Sequence, residues 1–140
     1  MIFTVGYEGR SIAEFLELLK TNGVETVIDV RELPMSRKPG FSKNRLQKIL
    51  EEEGIEYVSA KQLGNPYRRS LKSGEATWEE VKPLFEEYIR DNLDAVEEVV
   101  KMSRSKNVCL LCFEKDPNAC HRSVIASIIE KDFGLKVAHL

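Results

Sequence analysis

Between Val108 and Arg122 the chain reads Val-Cys-Leu-Leu-Cys-Phe-Glu-Lys-Asp-Pro-Asn-Ala-Cys-His-Arg, and this run constrains the fold more than any other. An apolar stretch of strand length ends at Cys112 and Phe113, followed by a polar turn with Lys115, Asp116, Pro117 and Asn118. Cys120, His121 and Arg122 then open a helical pattern that continues through Val124, Ile125, Ile128 and Ile129. In an open α/β sheet, the turn between a strand's carboxyl end and the next helix is where ligands bind. A thiol, an imidazole and a guanidinium at a helix start make a natural site for an anion or a thiolate.

The rest of the chain alternates in the same way. Ile2 to Val5 is a short apolar strand, and Ser11 with Glu14 forms a capping box before Ile12, Phe15, Leu16 and Leu19 at helical spacing. Asn22-Gly23 stops that helix, and Val24 to Val30 is a second, β-branched strand. Pro34 and Pro39-Gly40 keep Arg31 to Phe41 a loop, after which Ser42 caps a helix bearing Leu46, Ile49 and Leu50. Ile55 to Ser59 is a third strand, residues 60–76 read as an irregular basic segment, and two helices follow from Thr77. Pro83 is expected to kink the first of these or delay its start. Gly134 ends the last helix, and Val137 to Leu140 reads as an edge strand. Strands alternating with helices predict a single α/β domain over residues 1–140, its mostly parallel sheet covered by helices on both faces in a Rossmann-like three-layer arrangement.

Composition narrows the class of function. No apolar run reaches bilayer length, and the first residues read as a strand rather than a signal peptide, so no membrane partner is expected. Three cysteines without a scaffold spacing fit a reducing compartment, and the expected location is cytoplasmic. The net charge of −2 is unevenly spread. Arg31 to Lys72 holds ten Lys/Arg against five Asp/Glu, while Ser73 to Ser105 holds four against nine. The basic half can serve an anionic ligand, or it can simply be a solvated helix surface. No G-x-G-x-x-G or phosphate-binding-loop motif is present, so no nucleotide cofactor is expected. Cys109 and Cys112 have C-x-x-C spacing, but within a strand they face opposite sides, which argues against a zinc site on that pair. No metal is expected.

If the sheet is parallel, polar groups converge at one rim. Tyr7 and Glu8 follow the first strand; Asp29, Arg31, Ser36 and Arg37 follow the second; Cys112, Glu114, Cys120, His121 and Arg122 follow the strand at Val108. Asp29 and Arg31 share a strand face, and a buried Asp29 needs a partner such as Arg31. Asn118 as helix cap would put Cys120 in the first turn, where its thiol pKa falls, and Arg122 would pair with Asp29, Glu114 or a bound anion. The leading expectation gives Arg31, Arg37 and Arg122 the anion, with Tyr7, Glu8, Ser36 and Cys112 lining the site. Asp29 or Glu114 then acts as general acid/base, and Cys120 with His121 supplies the nucleophile or donor. The ligand would be a phosphate-bearing or nucleotide-like small molecule. Two alternatives stay open: a nucleic-acid-binding module built on residues 31–72 with Arg68-Arg69, and a thiol enzyme of sulfurtransferase or redox type using Cys112 or Cys120. An apolar C-terminal edge strand also leaves room for a homodimer.

Several stretches together carry a family resemblance: Thr4-Val-Gly-Tyr7; Asp29-Val-Arg31 with Pro34, Ser36, Arg37 and Phe41; Gly54-Ile-Glu-Tyr57 with Leu63-Gly64; and Cys112-Phe-Glu114 followed by Cys120-His-Arg122. In this order they resemble the domain of unknown function DUF488, which implies a compact α/β domain and brings no established activity. Tyr7-Glu8 and Asn65 depart from the more usual family residues. More weakly, Val27-Ile-Asp-Val-Arg-Glu32 is similar to the rhodanese signature, although the loop from Cys112 to Arg122 is long for a rhodanese cradle.

Overall fold

Five short strands, each with at least one Val, Ile or Leu, pair into one sheet in the computed structural model, which describes every residue from Met1 to Leu140. The strands are β1 (Ile2–Gly6), β2 (Thr26–Asp29), β3 (Glu56–Ser59), β4 (Val108–Cys112) and β5 (Val137–His139). They lie in the order β3-β2-β4-β1-β5, and every pairing is parallel. The helices are α1 (Ile12–Thr21), α2 (Lys43–Glu52), α3 (Arg68–Ser73), α4 (Trp78–Asp91), α5 (Leu93–Ser103) and α6 (Arg122–Phe133). No helix is long and apolar enough to cross a membrane.

Side-chain alternation along the strands divides the core in two. Val108, Leu110 and Cys112 of β4 join Ile28 and the apolar faces of α4, α5 and α6. Cys109 and Leu111 join Val27 with Phe15, Leu19, Leu46 and Leu50 from α1 and α2 on the other face. β4 is buried at every residue, as a central parallel strand covered on both faces requires. The chain steps from β1 to β2 to β3 in one direction with helices on one face. It then returns to β4 and β5 with helices on the other. β4 and its neighbours therefore send their carboxyl-terminal loops to opposite faces, which opens a crevice at that point.

Several local expectations need correction. Residues 60–76 are not irregular: Lys61–Leu63 form a 3-10 turn and Arg68–Ser73 form α3. The second strand begins at Thr26 and ends at Asp29, inside the expected span. α4 starts at Trp78 and runs through Pro83, because the Thr77–Glu80 capping box fixes its first turn. Asn118 does not cap the last helix. Asp116 accepts from the Asn118 amide to cap a short 3-10 turn over Pro117–Ala119, and α6 begins only at Arg122. Cys120 consequently sits before the helix in extended backbone (φ −132°, ψ 146°), outside the first turn where a dipole would act on it.

Candidate functional site

The crevice begins where backbone crosses backbone. Tyr7 and Glu8 donate from their amides to the Cys112 and Phe113 carbonyls, which extends the β1–β4 pairing past the sheet's edge. The Glu114 carbonyl lies over Gly6, so close that a Cβ there would overlap it. Glu8, exposed, accepts from the Lys115 amide at 3.0 Å. Its carboxylate holds the turn and does not line the hollow, contrary to the expected ligand role.

At the end of β2, the Asp29 carboxylate is fully enclosed. It accepts from Arg31 Nε (2.8 Å) and Nη2 (2.7 Å), from the Arg31 amide, and from the Tyr57 hydroxyl at 2.5 Å. Arg31 Nη1 donates to the Phe41 carbonyl at 2.6 Å. Burial alone would lower the Arg31 pKa, but the bonds to Asp29 raise it on balance. Burial, then the Asp29 carboxylate, raise the Tyr57 hydroxyl above its usual range. With both oxygens bonded and no exposure, Asp29 does not fit the expected acid/base role. Arg31 likewise gives its charge to Asp29 rather than to a ligand. The pair anchors the loop after β2.

Arg122 also departs from expectation. It is completely buried and donates to Thr4 Oγ1 (3.1 Å), Cys112 Sγ (2.8 Å), and the Glu114 and Lys115 carbonyls. No carboxylate lies within ion-pair distance of it, and desolvation pulls its pKa below the usual value. It ties the turn at residues 114–115 onto β1 and β4 and does not line the hollow, contrary to the expected place at a bound anion. Arg37 is exposed and does not line the hollow, because the loop turns it outward.

His121 is the link between β2 and α6. Its Nε2–H donates to the Val30 carbonyl at 3.0 Å, since a carbonyl can only accept. Nδ1 is then the unprotonated nitrogen, and it faces Cys120 Sγ at 3.6 Å. Burial pulls this histidine's pKa down to about 4. Cys112 and Cys120, eight residues apart, are joined sulfur to sulfur, an association that no sequence spacing rule supports. Cys109 stays a free, buried thiol on the opposite face, with its pKa pushed up by desolvation. The sulfurs of Cys112 and Cys120 and a His121 nitrogen all lie within 4.8 Å of one another, a donor set able to hold a metal ion.

Cys112 and His121 form the floor of a hollow of about 510 Å³. Tyr7, Arg31, Ser36, Cys112, Glu114 and His121 line it, so six expected site residues do share one cavity. Tyr7 is fixed there by stacking on Phe41 (ring centroids 4.4 Å apart) and by edge contact with Phe113. Ser36 is held by the loop, its hydroxyl accepting from the Lys38 amide. The walls include residues that the sequence alone did not assign to this site. Leu33, Met35 and Phe113 are 43%, 69% and 45% exposed. Arg68 and Lys72 reach the hollow from α3, and neither pairs with a carboxylate. The Arg68-Arg69 pair was visible as a basic signal, but only the fold shows that Arg68 turns inward.

A three-layer α/β domain with a ligand-sized hollow at a switch point of its parallel sheet is the class that fold and site define. The chain belongs to the family described as domain of unknown function DUF488, whose sequence model matches residues 11–129. Neither the curated proteins nor the solved structures give a match, and the local likeness to rhodanese-like domains gains no support.

Proposed function

We propose that the hollow binds a phosphate-bearing, nucleotide-like small molecule, with Arg68 and Lys72 holding its anionic end. One observation carries this reading: two cations that form no ion pair, Arg68 and Lys72, stand in the same cavity as exposed Phe113 and Met35. A guanidinium or ammonium near a phosphate forms charge-assisted bonds, and an exposed aromatic ring offers a face for a flat base. Glu32 and Glu114 also line the cavity, so it favours a ligand with hydrogen-bond donors as well as negative charge over a bare anion. If the bound molecule is transformed, Glu32 and Glu114 are the half-buried carboxylates available for proton transfer, and neutral His121 lies at the floor.

Titration calorimetry with adenosine monophosphate, inorganic phosphate and a single-stranded oligonucleotide tests this. The expected result is saturable binding of the monophosphate, tighter than phosphate. Arg68→Ala and Lys72→Ala should each weaken it about tenfold, the equivalent of about 1.4 kcal/mol. Wild-type affinity in both variants, or no binding, would remove the proposal. Binding of the oligonucleotide alone, with steep salt dependence, would favour the nucleic-acid module instead.

A further inference from the structure

We infer that reduced Cys112 and Cys120, together with His121 Nδ1, form a zinc-class metal site whose fourth position faces the hollow. This goes beyond the proposed ligand binding and does not depend on it. The chemistry of the donors points first to zinc, because thiolate and imidazole together suit a borderline-soft divalent ion.

One ligand pair already stands at the spacing a metal needs, and opening the sulfur–sulfur bond lets the second sulfur move to its own position. Tetrahedral zinc with sulfur at about 2.3 Å and nitrogen at about 2.0 Å requires a sulfur–nitrogen separation of about 3.6 Å. The Cys120 Sγ to His121 Nδ1 distance is 3.6 Å. The histidine is also prepared for ligation. Metal-binding imidazoles donate their second N–H to a carbonyl or carboxylate, which fixes tautomer and ring orientation. The bond from Nε2 to the Val30 carbonyl does this and leaves the Nδ1 lone pair toward the sulfurs. The three ligands come from two rigid places, the end of β4 and the residues just before α6.

A second observation concerns charge. Buried Arg122 has no carboxylate partner, and its Nη1 donates to Cys112 Sγ at 2.8 Å. A guanidinium beside a sulfur favours the thiolate, the form that binds metal. Cys112 and His121 line the hollow and Cys120 does not, so a fourth ligand, water or a bound anion, arrives from that side. Three protein ligands with one open position are the pattern of reactive rather than structural zinc sites.

The disulfide and the metal are alternative states of one pair. A thiol reductant supplies two electrons, the sulfur–sulfur bond breaks, and two protons are taken up to give two thiols. Zinc then displaces both protons to solvent as two sulfur–metal bonds and one nitrogen–metal bond form. Oxidation of the pair by a disulfide-forming agent removes two electrons and expels the ion. The site is therefore gated by the redox state of its own ligands.

The test uses full-length protein reduced with dithiothreitol, treated with a chelator and titrated anaerobically with Co(II), with neither phosphate nor nucleotide present. The expected result is one Co(II) per chain, with the strong visible bands of tetrahedral cobalt and a sulfur charge-transfer band, both lost on adding Zn(II). Diamide oxidation beforehand should abolish uptake, and fresh dithiothreitol should restore it. Cys120→Ser and His121→Ala should weaken binding about 100-fold, while Cys109→Ala keeps it. Absence of stoichiometric uptake by reduced wild-type protein overturns the inference, as does uptake unaffected by diamide. Those two arms need no variant, so a substitution that misfolds does not blur the outcome. With no anion present, failure here leaves the ligand proposal standing.

Discussion

Asp29 shows how a single carboxylate can be essential without touching a ligand. Two bonds to the Arg31 side chain, one to its amide and one from Tyr57 satisfy it where water does not reach. Removing one member of a buried ion pair leaves the other charge uncompensated, which costs about 3–5 kcal/mol. Asp29→Asn is therefore expected to lower unfolding free energy by about that amount in urea titrations, and an unchanged midpoint would contradict the assignment. His121 makes a pH-dependent contribution of defined sign. Its folded pKa of about 4 lies below the ordinary 6.5, so the unfolded chain takes up the proton first as pH falls. Its contribution is complete above about pH 6.5 and is lost as pH falls toward 4, by roughly 3 kcal/mol in all. In metal-free protein, His121→Asn should flatten the stability–pH curve across that window, as urea midpoints at successive pH values would show.

Elements place these residues, and their boundaries were the least legible part of the sequence. The Ser11–Glu14 capping box and the Gly134 stop read directly, because each is a local signal with a local cause. Asn118 misled because Asp116-Pro117 captures the turn first: the aspartate caps, the proline presets φ, and a 3-10 turn forms before α6 can start. α3 was missed because six residues are too few to show a helical period. The crossing of the turn over β1 makes Gly6 a sharp test at this scale. Gly6→Ala would drive a methyl group into the Glu114 backbone and shift the carbonyl to which Arg122 donates. A loss of about 3 kcal/mol or more is expected from thermal or urea unfolding, whereas a neutral substitution would show that the turn is free to move.

At the scale of the whole molecule, the parallel three-layer architecture followed from alternation alone, since each strand run and helix stripe reports its own burial. So did the convergence of the β2 tip and the entry to α6, which meet at the His121–Val30 bond. Which charges remained free there was not legible. Three arginines in suggestive motifs looked equivalent, yet Arg31 faces Asp29, Arg122 faces carbonyls and a sulfur, and Arg37 faces solvent. The cations that line the hollow without an ion-pair partner, Arg68 and Lys72, come from a segment distant in sequence and adjacent only after folding.

The most direct check follows backbone amide resonances of labelled protein as adenosine monophosphate is added. Saturable shifts confined to residues 31–36, 65–72 and 113–115 are the expected result, with those in α3 lost in the Arg68→Ala variant. Shifts scattered over the surface, or centred on the far end of the sheet, would contradict a ligand site at the carboxyl ends of these strands.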